Sequence, residues 1–316
     1  MRSIPIRRLL ERLALIRRDR KLLIVTRIWP TPEAPSSGIF VANRCRGMTN
    51  VTVARARHQH RHWVLALLGF AWDTLRTRGR FDGVEAHVVY PAGLVGWLAA
   101  RLRRIPVVVY AHGTDVREVP NRGRGYRFFV RWVVRHADAI VTNSSDTAAH
   151  VRRLGREPIV AAPGIPLGDW APAPRPPERR VLYLGGTNPR KGYDVALRLA
   201  DTLVGPGLRE LPSDEIAKLM ASHDVVLVPS VAEPFGLVAV EAIASGRWVV
   251  ARDVGGLRDI VIDGVNGTLV DDDDFAAALD AVPEYDPAAV AATAGRFSLE
   301  AWQAAMEAVW STLDRR

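Results

Sequence analysis

Cysteine is nearly absent from this 316-residue sequence: Cys45 stands alone. An intramolecular disulfide is therefore excluded, and a reducing cytoplasm is the expected compartment. Long apolar runs are missing as well. The best candidate, Trp63–Trp72, has ten residues, about half of the ~20 that a membrane-spanning helix needs. The opening MRSIPIRRLLERLALIRRDR lacks the uninterrupted apolar core of a secretion signal. Lysine is scarce, with three among 43 basic residues. No D-x-D pair of the kind that holds a metal–nucleotide complex is recognised. DDDD at 271–274 reads as a solvated loop and helix N-terminus. His58, His60 and His62 have no carboxylate or Cys nearby, which disfavours a metal site. No basic motif interleaved with aromatics stands out, so nucleic acid is not an expected partner.

What is present is divided by charge. Residues 1–170 hold 29 Arg and Lys against 12 Asp and Glu, whereas residues 171–316 hold 14 against 22. Halves of opposite sign imply different partners, and the basic half suits phosphate. Ile6, Leu9, Leu10, Leu13 and Ile16 fall at helical spacing among arginines. Residues 1–20 are therefore expected either to form a basic amphipathic helix on an anionic membrane surface, or to be a helix packed on the following domain or a disordered leader.

Apolar strands alternate with helices along the rest of the chain. Strands are expected at 21–26, 51–56, 84–90, 105–110, 138–144 and near 158–161. After a six-proline segment at 163–180, read as a linker, they resume at 180–186, 225–230, 247–253 and 267–270. Strands that are apolar throughout imply parallel sheets covered on both faces. The expected fold is α/β, with two Rossmann-like doubly wound domains: residues 21–162, and a shortened one at 181–296. A C-terminal helix follows at 297–316, with Ser298 as N-cap. Ligands of such sheets bind at the C-terminal ends of the strands, which places the site in the cleft between the domains.

EPFGLVAVEAIASG, residues 233–246, carries the chemistry. Pro234 stiffens the turn after VVLVPS, and a helix runs from about Gly236 to Ser245-Gly246. The free amides at Gly236, Leu237 and Val238 form a site for phosphate. Glu233 beside that mouth can accept hydrogen bonds from sugar hydroxyls, and Glu241 from a vicinal diol such as ribose. The plainer reading is a capping residue plus one exposed helical glutamate.

EPFGLVAVEA resembles the E-x7-E signature of retaining glycosyltransferases of the GT-B fold, most like family 4 (group 1). LGGTNPRKGYD (184–194), HDVVLVPS (223–230), GRWVVARDVGGLRDIVIDGVNGTLV (246–270), PSSGIF (35–40), AHGTD (111–115) and VAAPGIPLGDW (160–170) resemble further segments of that family in the same order. The resemblance implies a nucleotide-sugar donor as substrate and no cofactor or metal. Glu233 would hold hydroxyls of the donor sugar. Amides near Phe235, Gly236, Leu237 and Val238 would hold its diphosphate, and Glu241 the ribose. Lys191, helped by Arg190, would neutralise the diphosphate. His112 would lie near the reacting sugar, with Asp115 of the same AHGTD among the substrate-binding residues, and Gly38 would let backbone approach the donor. Each has a plainer reading: a solvated Arg-Lys pair, a structural histidine, a turn glycine.

Two departures from the family are visible. Where it often has an arginine after the glycine of the strand corresponding to LYLGG, this chain has Gly186. Only about thirty residues separate Lys191 from His223, where a further βα unit is usual, so LADTLVGPGLRELPSDE reads as a shortened remnant. The resemblance implies sugar transfer with retention to a lipid-linked or saccharide acceptor in envelope or exopolysaccharide assembly. The expected location is the cytoplasm, either free or, through the basic segment at 1–20, on the inner face of the plasma membrane. The competing reading is a non-catalytic binding or scaffold protein on the same fold.

Overall fold

The computed structural model describes residues 20–31, 34, 37–46, 48–56, 63–271 and 274–314. The amphipathic segment at 1–19, the His58–His62 cluster and two residues of the acidic run therefore lie outside the described residues.

Two parallel sheets organise the chain. The first has six strands in the order β2-β1-β3-β4-β5-β6: β1 Leu22–Thr26, β2 Val51–Arg55, β3 Gly83–His87, β4 Val107–Ala111, β5 Ala139–Thr142 and β6 Ile159–Val160. The second has five in the order β11-β10-β9-β7-β8: β7 Val181–Tyr183, β8 Thr202–Leu203, β9 Val225–Val228, β10 Trp248–Arg252 and β11 Gly267–Val270. Every residue of β1, β3 and β4 is buried, as strands covered on both faces require. In each sheet the winding reverses, between β1 and β3 and between β7 and β9. Such reversals open a crevice at the C-terminal strand ends.

The connecting helices are α1 Ile39–Cys45, α2 Trp63–Arg76, α3 Leu94–Arg103, α4 Thr114–Arg117, α5 Arg124–His136 and α6 Ser145–Arg153 in the first domain. In the second they are α7 Tyr193–Leu199, α8 Ser213–Ala221, α9 Leu237–Ala244, α10 Leu257–Ile260, α11 Phe275–Asp280 and α12 Pro287–Ala292. Alternation along the strands separates two cores in the first domain. Leu23, Val25, Val84 and Val109 face α2, α3 and α5 through Phe70, Val95 and Val130. Leu22, Ile24, Val108 and Tyr110 face the opposite way.

That opposite face is covered by the last helix, α13 Leu299–Leu313. Ser298 caps it as expected, its Oγ accepting from the Ala301 amide at 3.0 Å. The helix leaves the second domain and returns to the first, burying Trp302, Met306, Val309 and Trp310 against the sheet. The fit is close: a β-carbon on Gly83 would stand 2.5 Å from the Trp310 ring.

One local expectation changes. β3 ends at His87 rather than Tyr90, because the Val89 amide is taken at 2.7 Å by Asp115 Oδ2 instead of by a neighbouring strand. The shortened segment after Lys191 still contributes an edge strand, β8, and a helix, α8. The unit is compressed rather than lost.

Trp310 is fully buried, so Trp310→Ala is expected to cost about 3–5 kcal/mol. Denaturant unfolding checks this, and a loss below about 1 kcal/mol would show that α13 does not stabilise the first sheet.

Candidate functional site

Lys191 and Glu233 come from loops that follow the two strands flanking the second reversal, and they meet. Lys191 Nζ lies 2.6 Å from Glu233 Oε2, which also accepts from Ser230 Oγ at 3.2 Å. The Glu233 side chain is 8% exposed and that of Lys191 38%, so the cation is the member within reach of a ligand. Gly192 sets this approach. It has φ 72°, and a β-carbon there would stand 2.2 Å from the Pro229 carbonyl oxygen, so only glycine lets the lysine turn lie on the end of β9.

Past Glu233 the chain turns through Gly236, at φ 113°, into α9. The first amides of a helix have no intrahelical acceptor, which leaves those of Leu237 and Val238 free to bind an anion. Phe235 is buried, its ring 5.9 Å from that of Phe297, so only its backbone can serve a ligand. Glu241 is half-buried, and burial pushes its carboxyl up to about 8.

The first domain brings His112 from the end of β4. Its ring lies 4.0 Å from that of Phe40, which places it beside the loop of Gly38. Gly38 is the N-cap of α1 at φ 68°, packed where a β-carbon would stand 2.7 Å from the backbone of Ile28. Behind His112 runs a chain that sequence reasoning missed. His112 Nε2 lies 3.0 Å from His87 Nδ1, and His87 Nε2 lies 3.2 Å from Glu85 Oε1. Glu85 in turn accepts from Arg44 Nε at 2.9 Å and Nη2 at 3.0 Å. Burial alone would raise the Glu85 carboxyl, but Arg44, with help from His87, overrides it and holds it at about 2. Burial and then the neighbouring His87 hold His112 well below the ordinary imidazole range, so it is neutral. A carboxylate can only accept, which assigns a proton to His87 Nε2. His112 Nε2 and His87 Nδ1 share one proton between them. Glu85 and His87 are two apart within an apolar strand, and that spacing was the available signal.

Other expected residues are engaged by the protein itself. Asp115 is buried and accepts from the amides of Val89, His112 and Gly113, at 2.7, 3.1 and 2.9 Å. It shapes the His112 loop. Arg190 reaches across the cleft to Glu118 at 2.6 Å rather than lying beside Lys191.

At the His112 loop the two halves come into direct contact. A β-carbon on Gly113 would stand 2.3 Å from Cβ of Pro234. Beside it, Ser144 Oγ donates to the Pro234 carbonyl at 2.6 Å, and Asn143 Nδ2 donates to the His112 carbonyl at 2.9 Å. The His112 loop thus abuts the Glu233 loop. The assembled groups are one cation, one carboxylate, helix amides and a neutral imidazole. They suit a ligand that carries both phosphate and hydroxyls.

Gly186 has a packing reason. It stands at φ 62°, and a β-carbon there would meet the Pro206 carbonyl oxygen at 2.2 Å. Its amide donates to Val204 at 3.1 Å. The compressed loop after β8 occupies the space a side chain would need, so the two departures from the family share one cause.

The family described as "Glycosyl transferase 4-like domain" matches residues 6–164, and "Glycosyl transferases group 1" matches residues 175–284. A D-inositol 3-phosphate glycosyltransferase of Mycobacterium marinum is 31% identical over 300 residues, covering 74% of this chain and 63% of its own length. One from Geodermatophilus obscurus is 32% identical over 292 residues, covering 70% and 64%. The chain thus spans less than two thirds of these relatives. Among solved structures, Anabaena HepE in complex with UDP and glucose aligns with a TM-score of 0.68 at 18% identity, over 93% of this chain and 99% of its own. Sucrose-phosphate synthase from Thermosynechococcus elongatus gives 0.73 at 18% identity, over 94% and 100%. These likenesses show the fold: two Rossmann-like domains in the GT-B arrangement.

Two outcomes are expected. Gly186→Arg should destabilise the protein by more than about 1 kcal/mol, because it adds a strained backbone and a clash. A folded variant of unchanged melting temperature would refute the packing account. The second concerns Glu241. With its carboxyl near 8 it is protonated at neutral pH, and ligand hydroxyls donating to it favour the carboxylate. Nucleotide binding should then release a proton, and affinity should rise as pH increases from about 6 to 8. Calorimetry in buffers of different ionisation enthalpy reads this, and Glu241→Gln should abolish it. A wild-type binding heat independent of buffer would overturn the expected contact of Glu241 with ribose.

Proposed function

The chain belongs to the group 1 glycosyltransferases, and on that premise we propose that it moves a sugar from a nucleotide-diphosphate donor to an acceptor hydroxyl, with retention at the anomeric carbon. The observation that carries the reading is the Lys191–Glu233 pair at 2.6 Å, set beside the open end of α9 and under the His112 loop. A donor diphosphate draws Lys191 from Glu233 onto its own oxygens, with the Leu237 and Val238 amides on the same group. Glu233, released, accepts from hydroxyls of the sugar, and Glu241 from the ribose. The bond between the anomeric carbon and the diphosphate oxygen breaks while the acceptor oxygen bonds on the same face. The acceptor proton passes to the leaving oxygen. Lys191 meets the charge that grows on that oxygen, and a fixed cation in a water-poor cleft is most effective there. The His112 imidazole hydrogen-bonds a sugar hydroxyl and orients it. No nucleophilic carboxylate, metal or cofactor is invoked.

The basic first domain would hold the acceptor, a lipid-linked or saccharide one in envelope or exopolysaccharide assembly, at the cytoplasmic face of the membrane. Inositol phosphate, in the names of the relatives, is an acceptor of the same anionic kind. Among the described residues no helix is long and apolar enough to cross a membrane. The non-catalytic alternative drew on Gly186 and the shortened domain, and both have the packing reason given above.

A panel of UDP-, GDP- and dTDP-sugars tests the reading. A donor at 100 times its Kd should stabilise the protein by about 2.7 kcal/mol. Lys191→Ala should lower kcat by about 100-fold or more in a variant that still folds. No thermal shift with any donor, or a folded Lys191→Ala with wild-type turnover, would refute it.

A further inference from the structure

Three neighbouring helices, α2, α3 and α5, cover one face of the first sheet, and each turns large apolar side chains outward. Leu68 and Trp72 on α2 are each 60% exposed, Leu102 on α3 65% and Phe128 on α5 62%. Leu65 and Leu98 join them. Leu68 and Trp72, like Leu98 and Leu102, are four apart and so form stripes along their helices. One exposed leucine is ordinary, but stripes on three adjacent helices mark an interaction surface.

The same surface is cationic. Arg124, Arg127, Arg131 and Arg135 are exposed along α5 and line a groove with Phe128 and Trp132. Among the described residues none of these four arginines makes a salt bridge. Arg76 lies over the Trp72 ring, 5.0 Å from its centroid. Asp73 is the one acidic residue in the sequences of all three helices. Contrary to the expectation from sequence, arginine and aromatics are thus interleaved on α5, in the run RGYRFFVRW at 124–132.

We infer that this three-helix face docks on the surface of an anionic lipid bilayer. Arginines without internal partners meet lipid phosphates, while leucine, tryptophan and phenylalanine enter the boundary of the acyl region. Exposed leucine stripes have no use against a nucleic acid, whose backbone is charged and whose bases stack on aromatic rings. A helix that follows a strand begins at that strand's C-terminal end, so Arg124 and Phe128 lie toward the edge of the sheet where the cleft opens. An acceptor anchored in the bilayer would reach the site from there. The inference deepens the acceptor reading under "Proposed function" but uses none of the donor residues, nor the segment at 1–19.

The test is flotation of the full chain with vesicles of phosphatidylglycerol and phosphatidylcholine, or of phosphatidylcholine alone, at low and high salt. The protein should float with the anionic vesicles and be released by salt. Each arginine near such a surface changes partitioning about fivefold, so Arg127→Gln with Arg131→Gln should weaken it more than tenfold. Trp72→Ser with Phe128→Ser should weaken it at both salt concentrations. All four positions are exposed, and unchanged unfolding midpoints confirm that the variants fold. Wild-type flotation by both double variants overturns the inference. So does binding of a single-stranded RNA more tightly than the vesicles, with the apolar double variant unaffected. Flotation needs no donor or transfer, so its failure leaves the transferase reading standing, and a failed donor panel leaves this one standing.

Discussion

The approach of Gly113 to Pro234, where a β-carbon would leave 2.3 Å, sets the spacing between the two domains at the site. His112 precedes the glycine and Glu233 precedes the proline, so contact between the neighbours brings the functional side chains to opposite walls of one cleft. Hydrogen bonds from Ser144 to Pro234 and from Ser145 to Asp259 fix the angle of approach. The Arg190–Glu118 pair spans the same gap, but Arg190 is 69% exposed, and exposed ion pairs contribute little. Steric fit and short hydrogen bonds, rather than surface charge, hold the halves in register.

Support for His112 comes from below. Arg44 and Glu85 are both buried. Removing one partner of such a pair strands a charge, which costs more than the pair itself contributes. The chain Arg44–Glu85–His87 is therefore kept whole, and it limits how His112 can turn. Arg44 also lies over the Trp302 ring at 5.7 Å, and Tyr110 meets that ring edge-on at 5.9 Å. Trp302 belongs to α13. A helix that follows the second domain thus completes the floor beneath the first domain's histidine, and the domains are joined by a returning segment as well as by the linker.

The second domain shows how a compressed fold keeps the Lys191–Glu233 pair. The loop after β8 packs on Gly186, yet the neighbouring turn still delivers Lys191 to Glu233 because Gly192 lies on the Pro229 carbonyl. Compression falls on the edge strand, away from the reversal between β7 and β9 where the ligand groups gather.

The sequence by itself determined the two parallel sheets, because uninterrupted apolar strands alternating with helices have few other ways to bury both faces. It also determined the loop and helix mouth at 233–241. Glu233, Pro234, Gly236 and Glu241 are close in the chain, so local geometry alone brings them together at a helix mouth. Tertiary structure decided what distant segments do to one another. The apolar stripe of α13 does not say which sheet it covers, and its burial on the first domain depends on the glycine at 83 that admits Trp310. Asp115, read as a substrate ligand, turned inward because three loop amides needed an acceptor. Glu85 and His87 looked like interruptions in a strand until Arg44, from another helix, gave the carboxylate its partner. A buried charge is intelligible only with its counterion, and chain order does not show which counterion folding will bring.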